Sequence, residues 1–115
     1  VRRSDKYISK DGWSISKEEW ERLSDDRSYT RIALNEMRGG RDPEVQIRVS
    51  TVWTGINTGS REVFETMVLR DGEPVEERRY HSEGEAQEGH NEILGKHMLE
   101  LPGPRLVREV PLEED

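Results

Sequence analysis

The residues of this 115-residue chain whose types and spacing could do chemistry are three histidines, one acid beside an aromatic, and a tryptophan that leads into a glycine-rich loop. His90 and His97 fall on one apolar stripe, yet seven residues is about 10.5 Å of helical rise. Two helical ligands of one ion normally stand three or four residues apart. His97 and Glu100 have that spacing, but a lone pair of this kind is common by chance, so no metal site is expected. His90 is then either a ligand contact or a half-buried ring hydrogen-bonded to a strand or loop. His81 precedes a helix cap and belongs at the surface. Glu65, next to Phe64, has the make-up of a general acid or base. It falls on the wetter face of its strand, where an Arg48 or Arg79 partner explains it.

Other catalytic routes are closed by composition. With no cysteine there is no disulfide scaffold, thiolate metal site or thiol nucleophile. The serines form no nucleophile elbow, and neither a Walker loop nor a dinucleotide fingerprint is present. Binding fits better. Trp53 enters the loop Gly55-Ile56-Asn57-Thr58-Gly59, and Arg61 follows. An aromatic platform beside Asn57 and Thr58 can hold a ring, an arginine can fork onto a phosphate, and His90 could add a contact. The alternative is a plain hairpin with Trp53 plugged into the core. On the opposite face Arg48 and Arg79 make a weak anion surface, since Glu65 and Glu77 neutralise it.

The elements that must position these residues are legible in the spacing. Asp11-Gly12 makes a turn between Tyr7-Ile8 and Ile15, forming a small hairpin or arm. Ser16 and Glu19 read as a reciprocal capping box, with Ile15 and Trp20 as its hydrophobic staple, for a short helix over 17–23. A period of two then predicts strands over 29–37, with Ile32 and Leu34 on one face, and over 45–53. Further strands follow over 62–70 and, after the Asp71-Gly72 turn, over 74–80, the last at an edge. Ser82 and Glu85 form a second capping box. Ala86, His90, Ile93, Leu94, His97 and Leu101 then mark one stripe of an 18-residue helix that ends at Pro102. The tail's Leu106, Val107, Val110 and Leu112 could add a short strand or an arm onto a partner. Short connections require antiparallel pairing. The expected architecture is α+β: one domain over 1–115, a four-stranded antiparallel meander covered on one face by a C-terminal helix, with a short N-terminal helix, an arm (1–14) and a tail (102–115).

Charge narrows the function classes. The net charge is −7 and the sequence pI about 5.1, which argues against general nucleic-acid binding. A mean hydropathy of −1.00 and the lack of a long apolar run exclude a membrane-spanning helix. No secretory signal opens the given sequence. Residues 1–42 are close to neutral. The excess acid lies at the second helix start (Glu83, Glu85, Glu88, Glu92) and in Glu113-Glu114-Asp115. A helix dipole and a solvated tail account for both places better than mimicry of DNA does.

The blocks Ile15-Ser16, Glu19-Trp20, Asp26-Arg27-Ser28-Tyr29, Val49-Ser50-Thr51-Val52-Trp53, Phe64-Glu65-Thr66-Met67-Val68, Arg79-Tyr80 and Glu88-Gly89-His90 resemble a widespread family of small uncharacterised proteins of bacteriophages, prophages and environmental viral sequences. The similarity runs from about Asp11 to Leu101. Members often carry Gly-hydrophobic-Asp-His after the tryptophan and then a longer loop. This chain departs there, with Gly55-Ile56-Asn57-Thr58 and a short loop. The resemblance implies a viral origin, action in the host cytoplasm, and no assigned catalytic residue or cofactor. The expected function is that of a phage accessory protein, acting by non-covalent binding to a host protein or small signalling ligand. A small hydrolase or nucleotide-processing enzyme using His90, or a structural protein without ligand, is the alternative. The thin apolar fraction, the two-sided apolarity of Phe64–Leu69 and the spotted tail also suggest a homodimer.

Overall fold

Two serines begin the two principal helices. In the computed structural model, which describes residues 5–114, the Ser16 hydroxyl accepts from the Glu19 N–H and opens α1 (Lys17–Ser24). Residues 1–4 of the expected arm and Asp115 of the acidic tail lie outside the described residues. The reciprocal half of the capping box does not form, because the Glu19 carboxylate turns to Arg22 at 2.6 Å. A charged partner one turn along outcompetes a neutral backbone N–H. Asp26 then caps a single turn, α2 (Arg27–Thr30), whose last two residues, Tyr29 and Thr30, the period-two pattern assigned to a strand. Aspartate bonded to the N–H two residues on is a strong turn former, and it wins over the short alternation that follows.

Among the described residues five strands result, one more than expected. They are β1 (Arg31–Gly39), β2 (Val45–Trp53), β3 (Phe64–Arg70), β4 (Glu73–Tyr80) and β5 (Arg105–Glu109), all antiparallel, in the order β4-β3-β2-β1-β5. The extra strand is the spotted tail, which pairs with β1 of its own sheet. The register of β1 slips between Arg31 and Ala33. This bulge separates Ile32 from Leu34. Ile32 packs on the core, whereas Leu34 lies opposite Ser50 on the other face. Asn35 and Met37 become the inward residues instead. The Asp71-Gly72 turn carries positive φ at both positions, +50° and +87°, as a tight hairpin requires.

α3 (Glu83–Glu100) crosses one face of the sheet, capped by Ser82, with Ala86, Gly89, His90 and Ile93 buried beneath it. Here too the acid of the box aims one residue off, since Glu85 accepts from the His81 N–H. The covered face splits into two apolar clusters. Trp53, Phe64, Val63, Ile8, Leu23, Tyr80 and Ala86 form one, with Trp20 and Tyr29 against it; Met37, Ile47, Val49, Val68, Ile93 and Leu101 form the other. The N-terminal hairpin, closed by Ile8 opposite Ser14, seals the first cluster through a Tyr7–Trp20 stack at 4.8 Å. The expected α+β class holds. Among the described residues no helix lies on the other sheet face.

Candidate functional site

Between the two apolar clusters the covered face carries a polar seam. Thr51 and Thr66 stand directly opposite each other on β2 and β3, and their hydroxyls are hydrogen-bonded. The Tyr80 hydroxyl donates to Thr66 Oγ1 at 3.1 Å, and Thr51 Oγ1 meets His90 Nδ1 at 2.7 Å. His90 Nε2 meets Asn35 Oδ1 at 2.7 Å, and Asn35 Nδ2 donates to the Arg108 carbonyl at 3.3 Å. This last bond fixes the proton order of the whole chain. An Asn35 amide that donates to a carbonyl presents its oxygen to His90, so Nε2 carries the proton and Nδ1 accepts from Thr51. Thr51 then accepts from Thr66, and Thr66 from Tyr80.

His90 is accordingly a neutral, internally satisfied group. Its ring is 2% exposed, and burial holds its pKa below the ordinary histidine value, with Glu109 opposing weakly. Protonating Nδ1 would reverse the Thr51 hydroxyl and leave the Thr66 proton without an acceptor in this relay. Among the described residues no buried side-chain polar atom lacks a partner. An arrangement with both ring nitrogens occupied and no opening to solvent orders a core; it offers a substrate neither a base nor an acid.

The loop residues are not gathered round a ligand space either. Trp53 is 2% exposed and donates from Nε1 to the Ile8 carbonyl at 2.9 Å, so it anchors the N-terminal hairpin. Asn57 Oδ1 accepts from the N–H groups of Gly59 and Arg61, while Nδ2 donates to the Asp5 carbonyl at 2.8 Å. Arg61 reaches the Asp5 carboxylate and the Gly12 carbonyl, each at 3.2 Å. Asn57 and Arg61 thus strap the hairpin to the sheet. Asn57→Ala is expected to loosen this strap, costing about 1–2 kcal/mol. Faster cleavage near the N-terminus in limited proteolysis would check it. Thr58 lines a surface depression with Thr54, Ile56, Glu62, Glu65 and Arg79. His97 faces Glu76 at 2.9 Å more closely than Glu100 at 3.7 Å. Lys96 and His97 together hold the Glu76 carboxyl below its ordinary range.

The structure brings together a different group of residues, on the uncovered face. Leu34, Val52, Met67 and Leu69, with Ser50 between them, floor an open depression of about 370 Å³, and Arg48 and Glu65 stand at its sides. Its parts are fixed by pleating: Leu34 opposes Ser50, Ser50 opposes Met67, Arg48 opposes Leu69, and Val52 opposes Glu65. Arg79 on the neighbouring strand pairs with Glu65 at 3.4 Å, and Glu77 lies 3.9 Å from Arg79. Burial pushes the Glu65 carboxyl up, Glu77 adds to this, and Arg79 opposes it. On the other flank Arg108 bridges Glu36 at 3.0 Å and Glu114 at 2.7 Å. The depression beside Thr58 shares Glu65 with this one, so the two adjoin. The alternation of β2 and β3 already contained these residues; the second apolar set on β3 was the signal that both its faces do something.

Comparison with models of protein families, with curated proteins and with solved structures finds no match. Among the described residues no helix is long and apolar enough to cross a membrane.

Proposed function

We propose that this protein acts by non-covalent binding, and that its working surface is the uncovered face of the sheet, which takes a protein partner. The observation that carries the reading is an apolar floor of Leu34, Val52, Met67 and Leu69 inside a frame of charges of both signs. A centre containing methionine and aliphatic carbon, walled by arginine and glutamate, has the make-up of a protein-binding patch. The depression is open and shallow. An enclosed pocket with convergent polar groups, as a small signalling ligand needs, is not what these residues build. A fitting partner would present an apolar side chain to Met67. The sequence blocks that resemble phage proteins suggest a host protein in that role. Histidine-based hydrolysis is disfavoured because His90 is closed off by Thr51 and Asn35.

The test compares wild type with Met67→Glu as baits in host lysate, after matched thermal melts. A defined protein retained by wild type, and retained at least about tenfold less by Met67→Glu, supports the reading. Equal capture by both baits would refute it. So would a nucleotide that titrates into both proteins with the same affinity.

A further inference from the structure

The two edges of the sheet are built differently. β4 is guarded: Pro74 lacks an N–H, the register slips between Val68 and Leu69, and Glu73, Glu76, Glu77, Arg78 and Arg79 crowd the strand. β5 carries charges as well, at Arg105, Arg108 and Glu109, but it has no proline and no register slip. All of its residues, Arg105-Leu106-Val107-Arg108-Glu109, are exposed, Leu106 at 61% and Val107 at 36%.

The outward main-chain groups of β5 can be assigned from the pairing. Gly40 donates to the Pro104 carbonyl and Val110 to the Leu34 carbonyl, flanking the ladder in which Glu36 opposes Arg108 and Arg38 opposes Leu106. Antiparallel ladders alternate, so Leu106 and Arg108 turn their N–H and C=O groups toward β1. Arg105, Val107 and Glu109 turn theirs outward. We infer that this strand pairs with β5 of a second copy of the chain, antiparallel, about a two-fold axis at Val107.

The sequence of the strand is complementary to itself in that register. Val107 opposes Val107 of the second copy, and Arg105 opposes Glu109 twice, so opposite charges meet on both sides of the axis. The three outward residues of each strand form the hydrogen-bonded pairs. Shifting the register by two residues either way puts Val107 opposite a charged residue and breaks both Arg–Glu matches. The exposed Leu106 and Val107 side chains lose water on opposite faces of the joined sheet. The axis runs perpendicular to the sheet, so both α3 helices lie on one side. Both uncovered faces lie on the other, giving two parallel binding surfaces. The inference is independent of what those faces bind.

The experiment is light scattering and sedimentation of the full chain across a concentration series reaching about 100 µM, the range of a modest strand-pair contact. Wild type is expected to move from 13.4 kDa toward twice that mass. Arg105→Glu sets like charges against Glu109 and is expected to raise the dissociation constant at least about tenfold. The exchange Arg105→Glu with Glu109→Arg restores the match and is expected to recover the dimer. Both variants lose the Arg105 bond to the Leu101 carbonyl, so recovery isolates the charge pair. Val107→Pro removes an outward donor without touching the β1 ladder and is also expected to give monomer. A wild-type chain that stays at 13.4 kDa overturns the inference. So does a dimer that survives Arg105→Glu and Val107→Pro but is broken by Met67→Glu, since that dimer would use the sheet face.

Discussion

Replacing His90 with alanine is expected to destabilise the fold by about 4 kcal/mol, read as a lower urea midpoint at unchanged slope. The ring is 2% exposed and lies between α3 and the sheet, so its removal leaves a cavity. It also takes the acceptor from the Thr51 hydroxyl proton and the donor from the Asn35 carbonyl oxygen, both of which are paired with the His90 ring. The cavity and the two stranded groups each contribute about 1–3 kcal/mol, and water entering the space offsets part of this. A cost below about 1 kcal/mol would mean that the relay holds nothing together. The same group gives the protein a pH signature. Its folded pKa lies below the unfolded value near 6.5, so the neutral form belongs to the folded state. Above about pH 6.5 the group costs nothing. Between the unfolded and the lower folded pKa the unfolded chain binds more protons, and stability falls by at most about 1.4 kcal/mol per pH unit. Glu76 behaves as a depressed carboxyl and acts in the carboxylate range, below this window. The slope just below about pH 6.5 should therefore flatten in His90→Gln. An unchanged slope would place the titration elsewhere.

The sequence made the larger elements legible because each has a local cause. Ser82 before an 18-residue stripe, Asp71-Gly72 between two alternating runs, and five β-favouring residues from Val45 to Trp53 all report on their own neighbourhoods. What the spacing could not supply were choices between local competitors. Asp26 takes Tyr29 and Thr30 into a helical turn, and the bulge after Arg31 sends Leu34 to the uncovered face. The tail's strand also depended on something distant, the open edge of β1. The candidate site behaves the same way. Trp53, Asn57, Arg61 and His90 have the right chemistry for binding, but the fold spends their polar atoms on Ile8, Asp5, Thr51 and Asn35. A signal of this was present: Thr51, Thr66 and His90 each interrupt an otherwise apolar inward series, and three polar interruptions on neighbouring elements are a relay more readily than three ligands.

Two alanine substitutions in α3 should move stability in opposite directions, although helix propensity alone favours both by about 1 kcal/mol. At Gly95 an added Cβ meets open space, so Gly95→Ala should realise most of that gain. At Gly89 the added carbon would overlap the Tyr80 ring, which is buried and whose hydroxyl donates to Thr66. The ring cannot shift without breaking that bond. Overpacking of about 1–3 kcal/mol and a lost buried hydrogen bond of about 1 kcal/mol outweigh the propensity, leaving a net loss near 2 kcal/mol. In a Tyr80→Leu background only the propensity gain of about 1 kcal/mol should remain, a coupling of about 3 kcal/mol in a double-mutant cycle. If Gly89→Ala stabilises the protein as Gly95→Ala does, Tyr80 is not held in place by Thr66. The contact belongs to a wider joint. Thr51, Thr66, Tyr80 and His90 come from four separate stretches of the sequence, and the fold brings all four to one relay between α3 and the sheet. Val52 and Met67, next to Thr51 and Thr66 in sequence, point the opposite way onto the uncovered face.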